Sequence, residues 1–368
     1  MKSLKKLTAA CAMAALSLAA LGACSAADQA ASSKAQGGEG SDGGKGSVTV
    51  ITHDSFALSD EAKAEFEKTS GYKLVLNQPG DAGQMLAALK LTPEKPGADA
   101  FFGIDNYSIA DLAASGALGS SKADEVWGDD GEAATLIDPL FEGDGGVSAV
   151  PVDRADVCLN VDNAWFETNG VPAPASFDDL VKPEYKSLTV ITNPASSSPG
   201  YALLTGTHAL YGDGVADWWR QLFANGVKVA GDWTEAYYTD FTAGAEDGTG
   251  TRPIVLSYAS SPAETAGGTS APQATCVPQI EYVGVLKGAE NPEGAQAFVN
   301  FMLSKMEQAE MPEQMYVYPQ RDGVALPEAW AQYVQIPRQP IQVDAAAAGA
   351  NREQWITDWT SWFEAAQS

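Results

Sequence analysis

From Ser47 onward, short apolar runs of strand length alternate with longer stretches of helical periodicity, and this alternation constrains the fold more than any other feature. Ser47–Thr52 reads as a short buried strand. Ser59 can cap the helix that follows, with Asp60 and Glu61 in its first turn and Gly71 as its stop. Tyr72–Asn77 gives a second strand, and Gly83–Leu91 a helix with Met85, Leu86 and Leu89 turned inward. Ala100–Ile104 is a third strand, followed by Asp105-Asn106 and a helix over Ser108–Leu118. Strands separated by helices imply a mainly parallel sheet with both faces covered. The expected class is α/β.

Val147–Val161 breaks this rhythm. It is long, extended in character and interrupted by Pro151, as a chain crossing between two lobes would be. A second α/β set follows, with strands at Leu188–Thr192, Lys228–Ala230 and Ile254–Tyr258 and helices at Gly200–Tyr211 and Val215–Asn225. Ile280–Leu286 then reads as a strand returning to the first lobe, and Pro292–Ser304 as a helix after it. Asn351–Ala366 closes the chain as a helix, with Trp355, Trp359 and Trp362 on one packing stripe. The 368 residues suffice for two domains. Residues 47–151 with 284–368 are expected to form lobe 1, and residues 152–283 lobe 2.

The N-terminus reads as an export signal. Met1–Lys6 carries three lysines, and Leu7–Leu21 is an apolar run of signal-peptide length. It ends in Leu21-Gly22-Ala23-Cys24, which resembles the lipobox of bacterial lipoproteins. The alternatives are an ordinary cleaved signal and an uncleaved anchor. Residues 1–23 are expected to be removed and Cys24 acylated, holding the chain at the outer face of the cytoplasmic membrane. Residues 24–46, mostly Ala, Ser, Gly, Asp and Glu, then act as a flexible tether. Cys158 and Cys276 remain of the four cysteines. In an exported protein they are candidates for one disulfide, the alternative being two separate buried thiols.

Composition excludes several functions. Asp and Glu number 48 against 22 Lys and Arg, a net charge of −26 that opposes binding to nucleic acid. Two histidines, His53 and His208, cannot build a histidine-rich zinc site. Gly244–Gly250 lacks the lysine of a phosphate-cradling loop, and there is no G-x-S-x-G elbow. No cofactor is expected, and the chain is read as a monomer.

In open α/β sheets, ligands bind beyond the carboxyl ends of the strands. Those ends carry His53, Asp54 and Ser55, then Asp81 between Gly80 and Gly83. After Leu188–Thr192 come Ser196, Ser197 and Ser198, opening a helix whose free N–H groups suit a phosphate or hydroxyl, or where the serines simply cap. Trp233 and the run Tyr258, Ala259, Ser260 and Ser261 follow two further strands, and Tyr316 and Tyr318 lie in a later loop. Aromatic faces with carboxylates suit a flat, cationic, heteroaromatic ligand.

The chain resembles the thiamine-binding substrate-binding proteins of bacterial ABC transporters. The resemblance rests on DSF at Asp54–Phe56, ADAFFGIDN at Ala98–Asn106, SSPG at Ser197–Gly200 and DWTEAY at Asp232–Tyr237. It continues in VLSYASSPA at Val255–Ala263, VYP at Val317–Pro319 and REQWITDW at Arg352–Trp359. It implies a type 2 periplasmic-binding-protein-like fold, each lobe a sheet flanked by helices, closing by a hinge on thiamine or its phosphates for delivery to a membrane permease. By position it places Asp81 and Ala82 at an acidic loop near the ligand, and Ser197 and Ser198 at its hydroxyl or phosphate end. It makes Trp233 and Tyr258–Ser261 ligand-lining segments. The family usually has tyrosine where this chain has His53 and Glu264, and tryptophan in place of Tyr316. Two other readings compete. A ferric-ion receptor of similar architecture would use Tyr237-Tyr238, and an extracellular hydrolase of thiamine phosphates would use Asp81 and His53, although no activated nucleophile is evident.

Overall fold

The computed structural model describes residues 44–122, 135–143, 146–245, 247–334 and 336–368. The expected signal segment, Cys24 and residues 25–43 of the expected tether lie outside the described residues.

The first strands are β1 (Ser47–Thr52), β2 (Lys73–Asn77), β3 (Ala100–Asp105), β4 (Phe141–Gly143), β5 (Gly146–Arg154) and β6 (Val157–Asp162). Then follow β7 (Thr189–Thr192), β8 (Lys228–Ala230), β9 (Ile254–Tyr258), β10 (Thr269–Ser270), β11 (Ile280–Val285) and β12 (Tyr318–Pro319). The helices begin with α1 (Asp60–Ser70), α2 (Ala82–Leu91), α3 (Ile109–Ser115), α4 (Asn163–Asn169), α5 (Ser198–Tyr211) and α6 (Val215–Ala224). They end with α7 (Trp233–Glu235), α8 (Ser261–Glu264), α9 (Pro292–Met302), α10 (Lys305–Met315), α11 (Glu328–Tyr333) and α12 (Ala345–Gln367).

Local chemistry sets these limits. The Ser59 hydroxyl accepts the Ala62 N–H at 2.9 Å to start α1, and Gly71 ends it at φ 77°, a left-handed conformation that glycine adopts without steric cost. Gly116, at φ 82°, stops α3 before the expected Leu118. α5 starts two residues earlier than expected, because Pro199 in the first turn needs no N–H partner there.

Two mixed sheets result. The first runs β12-β5-β11-β3-β1-β2 with β4 beside β5, and the second β10-β6-β9-β7-β8. The expected parallel strands form part of each sheet: β1 is parallel to β2 and β3, and β7 to β8 and β9. Antiparallel strands extend each sheet, β11 and β5 in the first and β6 in the second. The single extended crossing expected at Val147–Val161 is thus two strands, one in each sheet. Both faces of the first sheet are buried, one with Val48, Phe66, Phe102 and Phe298, the other with Met85, Leu86, Leu89 and Phe101.

The connection between the sheets is a paired ribbon. Ala155 N–H donates to the Gln279 carbonyl at 2.9 Å, and Val157 and Val277 exchange both backbone bonds at 2.8 and 2.7 Å. One residue further on, a disulfide joins Cys158 and Cys276.

α12 lies against α6 and α3. Trp359 is buried edge-on against Trp219 of α6 with centroids 5.7 Å apart, and Trp355 stacks on His208 of α5 at 4.0 Å. The tryptophan stripe is therefore a packing face. Arg352 of α12 is also buried, its guanidinium 4.2 Å from the centre of the Tyr201 ring.

Candidate functional site

The carboxyl end of β1 delivers His53 into a cleft between the two sheets. Its ring fits because β3 carries Gly103, at φ 95°, where any Cβ would run into the imidazole. His53 Nε2 lies 3.4 Å from Glu281 Oε2 on β11. Burial alone would lower the histidine pKa; the Glu281 carboxylate, with Asp81 and Asp54, outweighs that and raises it above its usual value.

Asp81 caps α2, where Oδ1 accepts the Ala82 N–H at 2.6 Å and Gln84 closes a reciprocal capping box. Its Oδ2 accepts the Trp233 N–H from across the cleft at 3.2 Å. Burial raises its pKa, an effect opposed by the Ser197 hydroxyl and the Ala82 N–H. Beside it, Gly83 N–H donates to the Ser196 carbonyl at 2.9 Å. The helix that follows β2 therefore touches the loops that follow β7 and β8.

An aromatic wall faces these acids. Trp233 stacks on Tyr237 with centroids 5.0 Å apart and meets Tyr258 at 5.9 Å. Its indole Nε1 donates to Ser257 Oγ at 3.0 Å, and that hydroxyl pairs with Ser261 Oγ at 2.8 Å, fixing the ring. Burial pushes the Tyr258 hydroxyl well up, so it stays a neutral donor. Tyr316 ends α10 in a left-handed conformation, φ 55°, unusual for a tyrosine, and is stacked on Trp330.

Behind Glu281 lies a row of acids. Glu281 sits between Asp105 of β3 and Asp153 of β5 in sheet register. All three are buried. Neither Asp153 oxygen receives an N–H or O–H from the surrounding residues. Its neighbour is the Glu281 carboxyl, and burial with that charge pushes the Asp153 pKa well above the carboxylate range.

His53, Asp81, Ser198, Trp233, Tyr258 and Tyr316 all line one cleft. The other expected residues lie in the layer behind. Ala82 is buried in the first turn of α2, and Ser197 is the buried residue just before α5, its hydroxyl near Asp81. Ala259 donates its N–H to the Asp156 carbonyl within the cluster around the disulfide. Ser260 is fully buried, and Ser261 supports the Trp233 side chain through Ser257. Glu264 accepts from the Tyr238 hydroxyl at 2.8 Å. Sequence reasoning missed Glu281, Gln314 and Met315, which also line the cleft. For Glu281 a signal existed: one acid inside the apolar run Ile280-Glu281-Tyr282-Val283.

The chain matches the family of bacterial extracellular solute-binding proteins over residues 61–338. It is 27% identical over 326 residues to the thiamine-binding periplasmic protein of Salmonella typhimurium, covering 85% of this chain and 92% of that one. The protein of the same description from Escherichia coli is 27% identical over 324 residues, with the same shares covered. Among solved structures, a periplasmic thiamin binding protein superposes with a TM-score of 0.71 at 25% identity, over 86% of this chain and 96% of that one. Iron-bound HitA from Pseudomonas aeruginosa superposes with a TM-score of 0.64 at 19% identity, over 87% and 99% of the two chains, a likeness of fold.

Proposed function

Because the chain belongs to the bacterial extracellular solute-binding proteins, we propose that it is an exported receptor that captures thiamine or a thiamine phosphate and passes it to the permease of an ABC transporter. One observation carries this reading: Trp233, Tyr258 and Tyr316 converge with Asp81 and Glu281 in a single cleft between two sheets. Thiamine is a flat two-ring molecule with a permanent positive charge, and such a cleft offers it aromatic faces and carboxylates together. The names of the relatives add support. In this reading the two sheets are lobes that close on the ligand. Its rings lie along Trp233 and Tyr258, and its hydroxyethyl or phosphate end faces Ser198 at the start of α5, with Ser197 behind. Binding rather than turnover is its task. The ferric alternative is weaker, because Tyr238 bonds Glu264 and Tyr237 is packed among Trp233, Tyr238 and Phe241.

Calorimetry with thiamine and its mono- and diphosphate tests the ligand. At about a hundred times its dissociation constant, the true ligand should stabilise the fold by roughly 2.7 kcal/mol. Trp233→Ala should abolish most of that gain. Trp359→Ala, on the packing face of α12, should lower the melting temperature yet leave the ligand-induced rise. No heat and no stabilisation with any of the three compounds would sink the reading.

We propose further that Cys24 is acylated and tethers a monomeric receptor to the outer face of the cytoplasmic membrane. The lysine-rich start, the apolar run and the Gly22-Ala23-Cys24 junction support it. Cys24→Ala should move the protein from the membrane fraction to the soluble one; a variant still in the membrane would contradict the anchor.

A further inference from the structure

Glu281 and His53 form a close pair that opens onto the cleft, and the thiamine reading above assigns no particular part of the ligand to either. We propose that Glu281 is the counter-charge for the ligand's cation, and that His53 holds this place with a proton until the cation arrives, so that capture of the ligand expels one proton. The inference rests on the proposed cationic ligand and adds the group that recognises its charge.

The geometry supports it in three ways. First, His53 Nε2 is 3.4 Å from Glu281 Oε2, and both residues line the cleft. A cation placed against Glu281 from the cleft therefore also lies beside the imidazole, and two positive charges there repel. Second, Asp153 stands behind Glu281 in sheet register and is fully buried, and burial beside that carboxylate pushes its pKa well above the carboxylate range. Third, Asp81 has both oxygens engaged, by Ala82 and Trp233, which leaves Glu281 as the better placed acid.

The carboxylates around His53 act in one direction. His53 faces Glu281 from β11, Asp81 from the start of α2 and Asp54 from its own loop, and all three favour its protonated form. Glu281 faces Asp105 from β3, Asp153 from β5 and Tyr258 from β9. Burial raises the Asp105 pKa to about 6, with Arg352 pulling the other way. A bound cation joins burial in opposing the carboxylates around His53 and lowers its pKa. Below the His53 pKa of the free protein, affinity for the cation should fall as pH falls, by up to about tenfold per pH unit for one proton. Above it, affinity should level off.

The test uses the intact protein. Thiamine is titrated calorimetrically near pH 7 in phosphate and in Tris, buffers whose ionisation enthalpies differ widely, so that the difference in heat counts protons released. The chain has only two histidines, so NMR follows the His53 imidazole directly, without a variant. The expected results are a buffer-dependent heat that disappears in His53→Asn, and a His53 pKa that drops when thiamine is added. Glu281→Gln should lower the His53 pKa in the free protein. It should also lose at least about tenfold more affinity for thiamine than for a neutral aminopyrimidine alcohol. Equal heats in the two buffers, or equal losses for charged and neutral ligands, would overturn this inference while leaving thiamine binding intact. No heat with thiamine at all would overturn the ligand reading and this inference with it.

Discussion

Gly83→Ala should bind ligand far more weakly than the native protein while folding as well or better. Gly83 lies in the first turn of α2, where a methyl group adds helix propensity and nothing in its own backbone conformation forbids it. The obstacle comes from across the cleft. A Cβ there would stand 2.5 Å from the Ala195 carbonyl oxygen and 2.7 Å from backbone atoms of Ser196. Backbone cannot rotate away as a side chain can, so the lips must part. Overpacking of this kind costs about 1 to 3 kcal/mol. Charged to the closed form alone, it weakens apparent affinity roughly 5- to 150-fold. Calorimetry beside a thermal melt separates the two effects. If the variant bound thiamine as tightly as the native chain, closure on ligand would not use the contact between α2 and the Ser196 loop.

Loss of the disulfide should be the most damaging single change to stability. Cys158 and Cys276 are 118 residues apart in sequence and both are buried. A cross-link closing so long a loop restricts the unfolded chain by about 4 to 5 kcal/mol in the chain-entropy account. For a protein of this size that corresponds to a fall in melting temperature on the order of 10 °C. The double variant Cys158→Ala, Cys276→Ala should show it, and so should the native protein reduced in denaturant and refolded. Unchanged melting in both, or two alkylatable thiols in the unreduced denatured chain, would contradict the bridge.

Much of the architecture was legible because local signals and tertiary demands agreed. Ser59 and Gly71 bracket α1, and Met85, Leu86 and Leu89 declare the buried face of α2. β1, β8 and β9 stand at their expected limits. α10 was hidden because Pro312 lies inside it, a residue that in isolation argues against a helix. The N-terminal part of α12 was hidden by alanines, which favour helix but show no periodicity to read. In the site, residues just past strand ends were found because topology sends them to the cleft. Glu281 lies within a strand, and its access to the cleft depends on sheet order, with β11 between β3 and β5, which no local pattern encodes. The place of Asp153 behind Glu281 depends on the same sheet order.

The ribbon between the sheets has a mechanical consequence. Its two strands are hydrogen-bonded to each other at Ala155–Gln279 and Val157–Val277 and then covalently fastened at Cys158–Cys276. Strands joined in this way cannot slide past one another, although a ribbon two strands wide still bends across its thin direction. At the ribbon the halves should therefore bend rather than slide, like a book opening about its spine, while α12 spans both by lying against α3 and α6. A receptor restricted to that coordinate surrenders little orientational entropy when it shuts. It should also approach closure along a single path, with one relaxation time rather than a spread of them.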